Sequence, residues 1–162
     1  MATDSLILLR EIGLRMQADL IKSKKTHIVC GPISSGGLGS LKRNLKLFNA
    51  VVETLSAGGY PIWSQLQFED EIIFAKELWL KDHPGEYCQP ILDICYELVF
   101  EPRQLRVGHF IPGRQAEGIK RSIGTSWEYA KIMSQGGKCL DVDPGLITFL
   151  LEDLFPAESI SA

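Results

Sequence analysis

The sequence has few histidines, no paired cysteine spacing, no long uncharged apolar run and no block of like charge. Its four cysteines (Cys30, Cys88, Cys95 and Cys139) share no Cys-x-x-Cys or Cys/His spacing, so neither a zinc site nor a disulfide framework is expected, and they read as thiols of a reducing cytoplasm. Asp4, Arg10, Glu11 and Arg15 interrupt the apolar N-terminus "MATDSLILLREIGLRMQADLIKSKK" before a membrane span or signal core can form. The expectation is a cytoplasmic chain with no membrane partner. The formal net charge is -3 and basic residues are scattered, which argues against a nucleic-acid polymer as partner. What is present is 162 residues, 45% hydrophobic and 23% charged, the size and balance of a single domain over 1–162.

Apolar positions Leu6, Leu9, Ile12, Leu14, Met16 and Leu20 recur at roughly helical spacing and predict an amphipathic N-terminal helix over 5–22, ahead of a core over about 26–155. Ile28-Val29-Cys30, stopped by Gly31-Pro32, is too short for a helix and reads as a buried parallel strand. Leu41 to Leu55 then repeats at threes and fours up to Gly58-Gly59, and Tyr60-Pro61-Ile62-Trp63 follows as a strand whose proline suits an edge. Residues 65–100 predict two helices around His83-Pro84-Gly85, with Phe74 and Trp79 assigned to core packing and His83 to solvent. Leu105–Ile111, containing His109 as a core or strand-face residue, is the third strand. A helix over 126–134, a strand over 138–142 and a helix over 147–155 complete the pattern. Strands alternating with helices predict an α/β protein: a flavodoxin-like or Rossmann-like three-layer α/β/α sandwich with a mostly parallel sheet of about four or five strands.

In such a sheet, ligands bind outside the carboxyl ends of the strands. Two loops qualify, 31–40 and 112–125, and they form one crevice if their strands are neighbours. The first offers Gly31, Gly36 and Gly37 for close backbone approach, the hydroxyls of Ser34 and Ser35, and a helix start near Ser40. It has neither G-x-G-x-x-G nor a terminal Gly-Lys-Ser/Thr, so neither a dinucleotide nor a triphosphate is specified. The second carries Arg114, Lys120 and Arg121, suited to a phosphate, then Ser122, Gly124, Thr125 and Glu128. Glu128 also has two plain readings, a dipole-complementing acid in a first helical turn or the partner of Thr125 in a capping box.

"HIVCGPISSGG" with Asn44 downstream, then "GYPIW", a strand closing in "IPG" and "SIGTSWEYAKIMSQGGKCLDV" resemble the nucleoside 2-deoxyribosyltransferase-like superfamily, which includes nucleotide N-glycoside hydrolases. The resemblance covers about residues 26–143, apart from much of 66–100. It implies that Glu128 is a nucleophile attacking the anomeric carbon of a sugar, and that Ser122 and Gly124 bring the sugar to the backbone. Gly31, Ser34, Ser35, Gly36, Gly37 and Asn44 would line the substrate, with Arg114 and Arg121 at a phosphate. It also implies a second acid on the helix before the third strand, for which Asp93 is the nearest residue and Glu97 competes. No metal or cofactor is implied, the partner is a nucleoside or nucleotide, and a homodimer or higher homo-oligomer is expected. The expected function is an N-glycosidic hydrolase or deoxyribosyl transferase acting on a nucleoside or nucleoside 5'-monophosphate. The competing readings are a non-catalytic nucleotide- or sugar-phosphate-binding module and a scaffold that uses the first helix and segment 66–100 as a partner surface.

Overall fold

The computed structural model describes residues 2–33, 37–112 and 123–156. The chain divides into two compact units, one formed by Met1–Lys25 with Trp63–Gln104, the other by Thr26–Ile62 with Leu105–Ala162.

The second unit carries the sheet. Its elements are β1 (His27–Cys30), α2 (Leu41–Ala57), β3 (Val107–Phe110), α5 (Ile123–Ser134), β4 (Lys138–Asp141) and α6 (Pro144–Leu154). With β2 (Ile62–Trp63) at one edge, the strands lie in the order β2-β1-β3-β4 and all run parallel. This is the flavodoxin-like order, in which the chain winds outward in both directions from β1 and β3. Right-handed crossovers therefore place α2 and α5 on opposite faces of the sheet. Helix α6 packs beside α2 and α5 packs on β3 and β4, which gives three layers. Pro61 stands just before the edge strand, as expected, and its carbonyl accepts from the His27 amide at 3.1 Å.

Register decides which side chains share a face. Cys30 pairs with Phe110, and Gly108 with both Ile28 and Cys139, so these five residues point toward α5. Gly108 is required there, because a Cβ would come within 2.6 Å of Ile132 Cδ1. His27, Val29, Val107 and His109 point the other way.

Two helix starts differ from expectation. Ser40 caps α2 by accepting from the Arg43 amide at 3.2 Å, and Asp143 caps α6 with Pro144 in its first turn. The α6 helix thus begins at Pro144 rather than 147. Helix α5 begins at Ile123, not 126, so Thr125 is already inside it and cannot be the N-cap of a capping box with Glu128.

The first unit is helical: α1 (Ala2–Ser23), a 3₁₀ turn (Leu66–Phe68), α3 (Glu69–Leu80), a π-helical stretch (Ile91–Tyr96) and its continuation α4 (Glu97–Phe100). Leu9, Ile12, Met16 and Leu20 are fully buried on one face of α1, which packs against α3, α4 and the π-helical stretch. Gln104 Nε2 closes the end of α1 by donating to the carbonyls of Leu20 at 2.7 Å and Lys25 at 2.8 Å. Trp79 is buried, as expected, but Phe74 is 61% exposed and is not core. His83 is not simply solvated either: its ring stacks on Trp79 with centroids 3.9 Å apart. Among the described residues, no helix is long and apolar enough to cross a membrane.

Candidate functional site

The strands β1 and β3 are direct neighbours, so the two glycine- and serine-bearing loops leave the sheet side by side. They diverge to helices on opposite faces, and this is the switch point at which open parallel sheets bind ligands. The Ile111 amide donates to the Cys30 carbonyl at 2.8 Å, holding the two loop stems together.

The first loop is braced from α2. Buried Asn44 accepts from the Leu38 amide at 2.8 Å through Oδ1 and donates to the Ile33 carbonyl at 2.9 Å through Nδ2, clamping both shoulders of the loop. Gly37 between them has φ of 57°, and a Cβ there would lie 2.6 Å from Asn44 Oδ1 and 2.8 Å from Pro32 Cβ. Only glycine fits such a position without displacing the clamp. Asn44, expected to line the substrate, thus spends both ends of its amide on the loop backbone. Beside it, Pro32, Leu38, Leu47, Ile111, Ile147 and Leu151 border a small apolar cavity of about 30 Å³.

On the α5 side, Thr125, Glu128 and Ile132 form the helix's buried face. Glu128 lies in the second turn of α5, not the first, and is 8% exposed. A glutamate that merely complements a helix dipole would sit in the first turn and in water, so this position favours neither plain reading. The carboxylate is hydrogen-bonded with the thiol of Cys30, the last residue of β1. Burial first, then the negative charge of Glu128 and its hydrogen bond, hold the Cys30 thiol well above its usual range, and Cys139 adds to this. Cys30 is therefore a neutral donor rather than a thiolate nucleophile.

The expected site residues fall into three groups. Gly31, Gly37, Asn44, Gly124 and Glu128 are brought to the loops and helices at the carboxyl end of the sheet. Ser34, Ser35, Gly36, Arg114, Lys120, Arg121 and Ser122 lie outside the described residues. Asp93 belongs to the helical unit, where it is exposed and accepts from Gln89 Nε2 at 3.2 Å. Among the described residues, no three His, Cys, Asp or Glu side chains form a cluster that could hold a metal ion.

Cys30, His109 and Glu69 are buried and ionisable, and half-buried His27 stands against His109, which is the core residue expected from the sequence. Cys30 reads as an ordinary apolar strand residue, and only the register places it under Glu128. His27 Nδ1 and His109 Nε2 are 2.8 Å apart with their rings stacked, and Tyr60 meets His109 edge-on at 4.9 Å. Burial, then His27, lowers His109 to about 4, so the pair is neutral near pH 7. Glu69, at the start of α3, is pushed up to about 7 by burial, with Lys76 opposing the shift and Asp70 adding to it.

Comparison of the chain with protein-family models, with curated proteins and with solved structures finds no significant match to any of the three.

Proposed function

We propose that the protein cleaves or transfers the N-glycosidic bond of a nucleoside or nucleoside 5'-monophosphate, with Glu128 as nucleophile. The observation that carries this reading is a glutamate buried at the carboxyl edge of a parallel sheet, at the switch point between two glycine-bearing loops. A carboxylate held there can attack the anomeric carbon of a sugar: its oxygen forms an ester bond to C1', and the C1'–N bond breaks. The leaving base takes up a proton from solvent. Water, or a second base, then displaces the carboxylate and releases the sugar product. The Cys30 thiol contributes a hydrogen bond that fixes the carboxylate's orientation. Arg114, Lys120 and Arg121, in the segment leading to α5, favour a phosphorylated substrate. The resemblance of the two loop segments to the deoxyribosyltransferase-like superfamily supports the same chemistry. Incubation with a panel of nucleosides and 5'-monophosphates, read by chromatography, is expected to release free base from at least one member; no release from any member contradicts the proposal.

One observation favours a second reading, a binding module without turnover. Asn44, expected at the substrate, is committed to the loop backbone, and the cavity beside it is small and apolar. A nucleotide that raises the melting temperature and is recovered unchanged supports this alternative.

A further inference from the structure

The two sides of the switch point are filled unequally. Cys30, the last residue of β1, faces α5 and Glu128. Ile111, one residue past β3, turns the other way, where Pro32 and Leu38 of the first loop, Leu47 of α2, and Ile147 and Leu151 of α6 stand around it. These side chains do not close on one another and leave the cavity of about 30 Å³ between them. A single water-sized group needs roughly 10–15 Å³, so the space takes a methyl or an ethyl group. Ile111 is backed by Gly31, where an added Cβ would lie 3.0 Å from Ile111 Cβ, so that wall is held from behind.

Protein interiors ordinarily close such voids, because atoms lining them forfeit contacts on one side. This one lies at the stems of both loops, and half-buried Pro32, Leu38, Pro112 and Leu151 form part of its wall, so it is not sealed in the core. Its character is apolar. Among the described residues, the polar side chain on its border is Asn44, whose amide is committed to the backbone of Ile33 and Leu38. A phosphate or a hydroxyl would lose its hydrogen bonds here, whereas an alkyl group would regain the missing contacts. With the sugar of a nucleotide at Glu128, the part left to reach an apolar space across the strand ends is its base. We propose that the cavity receives a methyl-sized apolar substituent on that base, and that Leu38, Ile111 and Leu151 thereby select alkylated bases over unsubstituted ones. The inference rests on a nucleoside or nucleotide occupying the switch point.

The test compares thymidine 5'-monophosphate with 2'-deoxyuridine 5'-monophosphate, and N6-methyl-2'-deoxyadenosine 5'-monophosphate with its unmethylated parent, pairs that differ by one methyl group. In base release, kcat/KM is expected to favour the methylated member of at least one pair by about ten-fold. Leu151→Phe, which fills the cavity, is expected to bring that ratio close to one. Leu151→Ala, which enlarges it, is expected to shift the preference toward an ethyl group at the same position. A loss of stability alone moves neither ratio, because it acts on both members of a pair alike. Affinity is read in parallel by calorimetric titration of the wild-type and Glu128→Gln chains, so that the outcome does not depend on turnover. A methyl preference in Kd without base release upholds the cavity's role and contradicts the glycosidic reaction. Equal kcat/KM and Kd within both pairs, a preference for the unmethylated members, a ratio that neither Leu151 variant alters, or neither binding nor turnover of any member overturns the proposal.

Discussion

Glu69 and Glu128 are both glutamates held in the interior, one in each compact unit, and both have a cysteine among their electrostatic neighbours. Their settings differ. Glu69 opens a helix in an all-helical unit, and its negative charge, after burial itself, helps raise the Cys95 thiol to about 12. Glu128 is hydrogen-bonded with a neutral thiol at the carboxyl edge of a sheet, where two loops leave adjacent strands. Burial alone does not mark a functional acid: Glu69 is a stability liability set among helices, whereas Glu128 stands where open parallel sheets place ligands.

The sharpest way to separate the two is isosteric replacement. Glu128→Gln is expected to lower base release by at least about a thousand-fold with the fold intact, while Glu69→Gln leaves the activity near wild type. Stability should respond in the opposite sense. A carboxyl lifted from 4.5 to about 7 binds a proton in the folded state that the unfolded state has already lost. Its contribution to stability is therefore complete below about 4.5 and is lost as the pH rises through about 7. Urea denaturation should find Glu69→Gln stabilised by about 3 kcal/mol at pH 8 and little changed at pH 4.

Two smaller effects sharpen the picture in the sheet unit. Asn44→Ala strips two part-buried backbone groups of their partner and should cost about 1–2 kcal/mol in the same measurement. Because His109 is lowered from 6.5 to about 4, its contribution is fully present above about 6.5 and is lost as the pH falls through about 4. His109→Phe should accordingly flatten the acid limb of the stability profile relative to wild type, the reverse of the slope set by Glu69.

Much of the architecture is legible in the sequence because short apolar runs closed by Gly-Pro or Gly-Gly have few structural solutions. Ile28-Val29-Cys30 and Lys138-Cys139-Leu140 become strands, and the neighbourhood of the two loops follows once β1 and β3 pair. The misses concern who faces whom. Helix α5 already contains Ile123 and Gly124, so Thr125 lies inside it and the Thr125–Glu128 pattern is not a capping box. The π-helical stretch at Ile91–Tyr96 has no periodic signature distinct from an α-helix. Phe74, expected in the core, and Leu14, expected on the apolar face of the first helix, are turned outward by the three-dimensional packing. The Cys30–Glu128 contact joins residues far apart in sequence, and no spacing rule reaches it.

The proposed reaction passes through a covalent bond between Glu128 and the sugar. Acid quenching during turnover of a 2'-deoxynucleoside 5'-monophosphate, followed by peptide mass mapping, tests it directly. A sugar-phosphate adduct is expected on the peptide containing Glu128 and none in Glu128→Gln; an adduct on another residue, or undiminished base release by Glu128→Gln, would contradict a glutamate nucleophile.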